Sequence, residues 1–155
     1  MTNPQGSLNG PFPTLTPEEN QGKQLFQGSG CASCHTPPSF SLNANSRSNG
    51  LDAGETRIFR SPSLKQIGRS GRFMHDGRFT TLEQVIEFYD SGIQAGPALD
   101  NRLVAPPPTP GGPPGGLPRQ FGFSATQKAA LVAFLRTLTD EPLAVDLRFS
   151  DPFWR

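Results

Sequence analysis

No run of apolar residues in this chain approaches the length of a membrane span, so no transmembrane helix is expected. There is no excess of one charge either: 14 basic and 13 acidic residues leave a formal net charge of +1. Nor is there a block of like charge, which argues against nucleic acid or an anionic membrane as the main partner. Cysteine is scarce, with two residues among 155, and only 34% of the chain is hydrophobic. Glycine and proline are plentiful, at 17 each. A chain of this kind has little apolar side chain to offset its ordering entropy. A large, flat, apolar cofactor at the centre would supply the missing core. The N-terminus lacks the basic segment followed by an apolar one that marks a signal peptide.

The length fits one domain with tails or long loops. Residues 1–15 read as a flexible segment and 16–155 as a single domain. Thr16, Pro17 and Glu19 predict a helix start with a capping box, and Gly28 and Gly30 predict its end after about Phe26. Residues 36–60 are mostly Ser, Asn, Gly and Pro and read as loop. Pro62 to Ile67 is expected to form a short helical turn, and Gly68 to Gly77 a loop carrying Met74 and His75. Thr80 and Glu83 predict a second capping box. Leu82, Val85, Ile86 and Tyr89 then share one helix face, which ends near Gly92.

The Pro/Gly-rich stretch at about 95–122 is incompatible with helix and a poor candidate for sheet. Ser124 and Gln127 predict a third capping box, and Leu131, Phe134, Leu135 and Leu138 an apolar stripe running to about Thr139. The tail carries Leu143, Val145, Leu147, Phe149, Phe153 and Trp154, and is expected to pack back on the domain. No strand pattern or internal repeat is convincing. The fold class is therefore all-α, with three to five short helices and long Pro/Gly-rich loops.

The chemistry is concentrated in Cys31-Ala32-Ser33-Cys34-His35, a Cys-x-x-Cys-His sequence. This is the pattern of covalent haem attachment, giving haem c and its iron. Two thiols add to the two vinyl groups, and the two-residue spacer on a helical turn matches their separation. The adjacent histidine then lies under the iron as an axial ligand. Other uses of the pair fit less well. A disulfide across two residues is strained. A thioredoxin-like redox pair needs a preceding strand and a βαβ setting. Zinc needs four ligands, and the candidates are Cys31, Cys34, His35 and His75, of which two are neighbours that point apart. Covalent haem attachment normally takes place outside the cytoplasm. The chain is therefore expected to be periplasmic or otherwise extracytoplasmic, in mature or trimmed form, with an export signal on its precursor.

Three further segments resemble the bacterial di-haem cytochrome c peroxidase superfamily, which includes the enzymes that mature the methylamine dehydrogenase cofactor. They are Phe59-Arg60-Ser61-Pro62-Ser63-Leu64-Lys65-Gln66-Ile67, Phe73-Met74-His75-Asp76-Gly77 and Thr81-Leu82-Glu83-Gln84-Val85-Ile86. The resemblance is to the C-terminal, electron-transferring haem domain. It extends to Ser124–Asp140 and to Arg148-Phe149-Ser150-Asp151-Pro152-Phe153. It implies a cytochrome c-like fold around one electron-transfer haem. The family has two haem domains, whereas this chain has one Cys-x-x-Cys-His and no N-terminal peroxidatic domain. Residues 36–58 look shorter than the family's equivalent, and the proline-rich stretch near 105–118 looks like an insertion. Peroxidase activity is therefore not carried over.

Three side chains are candidates for the position opposite His35. Tyr89, fourteen residues after His75, is preferred. In the peroxidases its position resembles that of a ligating methionine, and in the cofactor-maturing branch that of a ligating tyrosine. Met74 is the alternative, since thioether ligation is common in small cytochromes. His75 is the third, and an open site also remains. Each residue has a plainer reading: Tyr89 as a core tyrosine, Met74 as packing at the haem edge, His75 as a loop-stabilising residue. A thioether favours ferrous iron and a phenolate ferric iron, so the choice sets the potential. Of Arg60, Lys65, Arg69, Arg72 and Arg78, one or two are expected to pair with haem propionates. The expected function is electron transfer to or from a redox protein partner. The alternatives are a haem peroxidase and the haem subunit of a larger redox complex.

Overall fold

A computed structural model describes residues 15–42, 47–105 and 116–140, together with residue 146. The expectations for the N-terminal segment, the centre of the Pro/Gly-rich stretch and most of the C-terminal tail fall outside these residues. Among the described residues the fold is helical, with isolated β-bridges and no strands.

Helix α1 is Pro17–Gly28. The Thr16 hydroxyl accepts from the Glu19 amide at 3.2 Å, while the Glu19 carboxylate accepts from the Thr16 amide at 2.7 Å. This reciprocal pair satisfies donors that the first turn would leave open. Helix α2, Leu82–Glu87, is capped one residue later than expected. Thr81 and Gln84 form its box, because the Thr81 hydroxyl takes the Gln84 amide and the Gln84 side chain takes the Thr81 and Thr80 amides. Helix α3 is Ala125–Arg136, opened by the expected Ser124–Gln127 box. It stops short of Thr139, since Thr137 and Leu138 turn tightly against the Phe134 and Leu135 carbonyls.

Two other local expectations need correction. Pro62 to Gln66 is extended or turn, and the short 3₁₀ turn lies at Ile67–Arg69. The proline at 62 favours extended backbone before it, and Gln66 takes a left-handed conformation that starts the turn late. Within 95–122, Asn101–Leu103 forms a 3₁₀ turn capped by Asp100, and Val104 bridges Pro118. These residues lie outside the proline runs, so nothing prevents short-range pairing there.

The core is built on the crossing of α1 and α3. Phe26 and Phe134 are almost fully buried, with ring centroids 5.3 Å apart. Leu131, Phe134, Leu135 and Leu138 are all buried, as the apolar stripe requires. Each such side chain contributes about 1.5–3 kcal/mol of burial. Gly22 lies in the same crossing, where a side chain would have no room.

A second apolar cluster, of Leu51, Phe88, Ile93 and Leu99, forms beside the first. Met74, Phe79 and Tyr89 pack against it, and Phe79 also touches the main core. The polar loop is held to this cluster by backbone. The Ser48 amide donates to Ala98, the Asp100 amide to Ser48, and the Gln94 amide to Gly50, all within 3.0 Å.

Candidate functional site

The Cys31–His35 segment is a helical turn. Cys31–Ser33 is 3₁₀, and the Cys31 carbonyl accepts from the amides of Cys34 at 3.2 Å and His35 at 3.0 Å. Both thiols are free and partly buried. Burial pushes the Cys31 thiol up, and it does the same to Cys34 against the opposing charge of Arg102. Arg102 anchors this turn: it donates to the Ser33 carbonyl at 2.9 Å and grips the Asp100 carboxylate with two nitrogens at 2.7 and 2.8 Å.

His35 Nδ1 lies 3.1 Å from the Phe40 carbonyl and 3.2 Å from the Pro62 carbonyl. Both partners are acceptors only, so Nδ1 must carry the hydrogen. The Nε2 lone pair is then the one left for a metal. Burial pulls the imidazole pKa down, against the two carbonyls, and so favours the neutral ring.

Tyr89 lies in a single π-helical turn, Phe88–Gly92, that follows α2 directly. Such turns re-aim side chains and recur at functional sites. The neighbouring Asp90 holds the turn to the rest of the fold. Its side chain accepts from the Phe123 amide at 2.8 Å, its backbone carbonyl accepts from the Phe121 amide at 3.0 Å, and its carboxylate pairs with Lys128 at 2.6 Å. Burial raises the Tyr89 phenol pKa, against a hydrogen bond from Asn49. Met74 sits in the loop closed by the Phe73–Phe79 bridge, at φ 71°. A left-handed conformation costs a residue with a Cβ roughly 1–2 kcal/mol, so the surrounding contacts hold it there.

The structure brings Met74 and Tyr89 together through Asn49. Its side-chain nitrogen is 3.3 Å from the Met74 sulfur and 3.4 Å from the Tyr89 oxygen. Asn49 carries no local signal in the sequence, because it stands in a polar run where any asparagine looks like a loop residue. Asp90 lies near the end of a helical pattern and Arg102 in the Pro/Gly-rich stretch, so neither carries a local signal of its own.

His75 is directed elsewhere. Its ring stacks on Phe59 at 4.2 Å with 5° between the planes, and Nε2 faces Asp52 at 3.8 Å and Glu55 at 3.9 Å. The zinc grouping of His75 with Cys31, Cys34 and His35 is not assembled among the described residues; His75 groups with Asp52 and Glu55 instead. Of the basic residues beside the central motif, Arg78 is committed to Asp52 and Asp76 at 2.7 Å each, and Arg72 donates to the Gly77 carbonyl.

The Glu55 carboxyl is held down to about 2, from an ordinary 4.5, chiefly by hydrogen bonds from Arg57. A carboxyl depressed in the folded state stabilises the fold fully above about pH 4.5 and loses that contribution as pH falls toward about 2. The melting temperature is therefore expected to be level near neutrality and to fall below about pH 4.5. Glu55→Gln should flatten part of that fall in thermal melts across acid pH. The rest belongs to Asp76, Asp90 and Asp100, which their own partners also hold low.

The donor set suits a haem. Two neutral thiols lie on one turn, an oriented imidazole stands beside them, and a thioether and a phenol lie in a mainly apolar cluster. With a haem bound, the iron would supply one-electron redox chemistry. The protein's own contribution is to fix the imidazole tautomer, pin the Cys31–His35 turn through Arg102 and hold a thioether and a phenol in place.

No protein-family model matches the chain. The chain is similar to the methylamine utilization protein MauG of Methylorubrum extorquens, at 30% identity over 145 residues, covering 84% of this chain and 37% of that protein. It is similar to the cytochrome-c peroxidase IdrP2 of Denitromonas iodatirespirans, at 27% identity, covering 89% of this chain and 44% of that one. It superimposes on the crystal structure of a MauG-like protein associated with microbial copper homeostasis, with a TM-score of 0.68 and 32% identity, over 92% of this chain and 52% of that one. The fold is thus that of the cytochrome c-like peroxidases. The chain belongs to the superfamily of di-haem cytochrome c peroxidases and MauG proteins. It spans less than half the length of these curated relatives. No helix among the described residues is long and apolar enough to cross a membrane.

Proposed function

We propose that this chain is an electron-transfer haem domain of c type. One haem c is attached through Cys31 and Cys34, with His35 as one axial ligand and Tyr89 as the other. Met74 is the alternative sixth ligand. The domain works outside the cytoplasm and exchanges electrons with a redox protein partner. It corresponds to the C-terminal haem domain of its two-haem relatives.

The observation that carries this reading is the meeting of Tyr89 and Met74 at Asn49, within 3.4 Å. Either side chain suits a filled sixth position. A stand-alone peroxidase would instead need an accessible iron and a base to take a proton from peroxide. The side chain within hydrogen-bond reach of both Tyr89 and Met74 is an amide, which is not a base. The peroxidase names of the relatives favour the second reading, hydrogen peroxide reduction, either alone or as part of a larger redox complex.

The test is the absorption spectrum of the ferric, haem-loaded protein before and after cyanide. A low-spin spectrum that ignores cyanide is expected. Tyr89→Phe should remove the phenolate charge-transfer band, and Met74→Leu should leave it. A high-spin wild-type spectrum that shifts with cyanide would mean an accessible iron and would move the reading to peroxide chemistry.

A further inference from the structure

The Asn49 side chain is built in rather than placed by chance. Ser48 before it is 1% exposed, and its amide and carbonyl are both bonded to the 98–100 segment. The Ser48 hydroxyl also accepts from the Gly50 amide at 3.0 Å. Gly50 after it has φ 74°, and a Cβ there would stand 2.7 Å from the Gln94 carbonyl oxygen. Only glycine tolerates that conformation in that space. The backbone on both sides of Asn49 is therefore fixed, and the amide is delivered into the cluster of Met74 and Tyr89.

An amide nitrogen carries two hydrogens. Both candidate ligand atoms, a sulfur and a phenol oxygen, are acceptors within reach of that one nitrogen. Only one of them can bond an iron opposite His35. We propose that Asn49 is the positioning residue that selects between them: it donates to the Tyr89 oxygen to hold it as the ligand, and engages the Met74 sulfur so that it does not compete. A hydrogen bond to a ligand oxygen that carries negative charge is among the stronger kinds, whereas a thioether is a weak acceptor. The same amide therefore favours the tyrosine. This selection rests on the sixth-ligand reading given above.

The test uses the haem-loaded full chain and reads ferric absorption and electron paramagnetic resonance spectra together with the midpoint potential. Asn49→Leu removes the donor. Asn49→Asp keeps the shape, but its carboxylate accepts and cannot donate. Both variants are expected to show a mixed spectrum with a new methionine-ligated component and a shifted midpoint potential. Adding Met74→Leu to either should abolish the new component. Asn49→Gln, which keeps the donor, should restore the wild-type signature at least in part. A residue that served only to pack the loop would give Asn49→Asp the wild-type spectrum, and that result overturns the proposal. If Asn49→Leu does not fold, Asn49→Asp carries the test, with circular dichroism melts as the check. The two readings fail separately. If Tyr89→Phe and Met74→Leu both leave the spectrum unchanged, the ligand reading falls and the selection with it. If Tyr89→Phe changes the spectrum while Asn49→Leu and Asn49→Asp do not, only the selection falls.

Discussion

Gly22→Ala is expected to lower the melting temperature by on the order of 10 °C, although alanine is the better helix former. A Cβ at position 22 would lie 1.9 Å from the Ala130 carbonyl oxygen, 2.5 Å from its carbon and 2.8 Å from the Phe134 Cβ. Two of these atoms are backbone of α3, which cannot rotate aside as a side-chain tip would. The helices must separate by more than an ångström to restore ordinary contact, and the Phe26–Phe134 packing opens with them. Overpacking of this kind costs about 1–3 kcal/mol and more when backbone must move. The helix-propensity gain of about 1 kcal/mol does not offset it. In a domain stable by about 5–15 kcal/mol, that is a large share. Gly28→Ala is the control, because nothing lies within 4 Å of its Cβ. It should melt at or slightly above the wild-type temperature. A Gly22→Ala protein that melts with the wild type would mean that α1 and α3 do not cross this closely.

The second large effect concerns attachment. Haem bonded through thioethers stays with the polypeptide when acidified organic solvent breaks iron ligation, whereas haem held only by ligands and packing leaves. The haem-loaded wild type is expected to keep all of its haem in the aqueous phase. The Cys31→Ser, Cys34→Ser double variant should release all of it, and each single variant should keep it through the remaining bond. The thiols are suited to this role because they are unpaired and on one turn, pinned through the Ser33 carbonyl by Arg102. Release of haem from the wild type would remove the covalent reading at once. Retention by the double variant would put the attachment on other residues.

The chain's local signals were legible where their partners lie close in sequence. The Thr16–Glu19 and Ser124–Gln127 capping boxes formed as expected because each is closed within three residues. The second box slipped because Thr80–Glu83 and Thr81–Gln84 both satisfy the pattern, and only the fold's placement of Leu82 in the core favours the later one. The turn expected before Ile67 failed because Gln66 is set by a contact far along the chain: its amide donates to the Leu138 carbonyl at 2.9 Å.

By itself the sequence determined that the protein is helical and which superfamily it belongs to, and it pointed to Cys31, Cys34 and His35 as the candidate site. Those features depend on spacing over a few residues, which the chain carries wherever it folds. The tertiary structure alone decided the rest. It placed Gly22 where two helices leave no room for a side chain. It turned His75 toward Asp52 and Glu55. It also set Asn49 between residues 25 and 40 positions away. Such meetings are made by packing and by loop backbone bonds between distant segments, and no local pattern of residues encodes them.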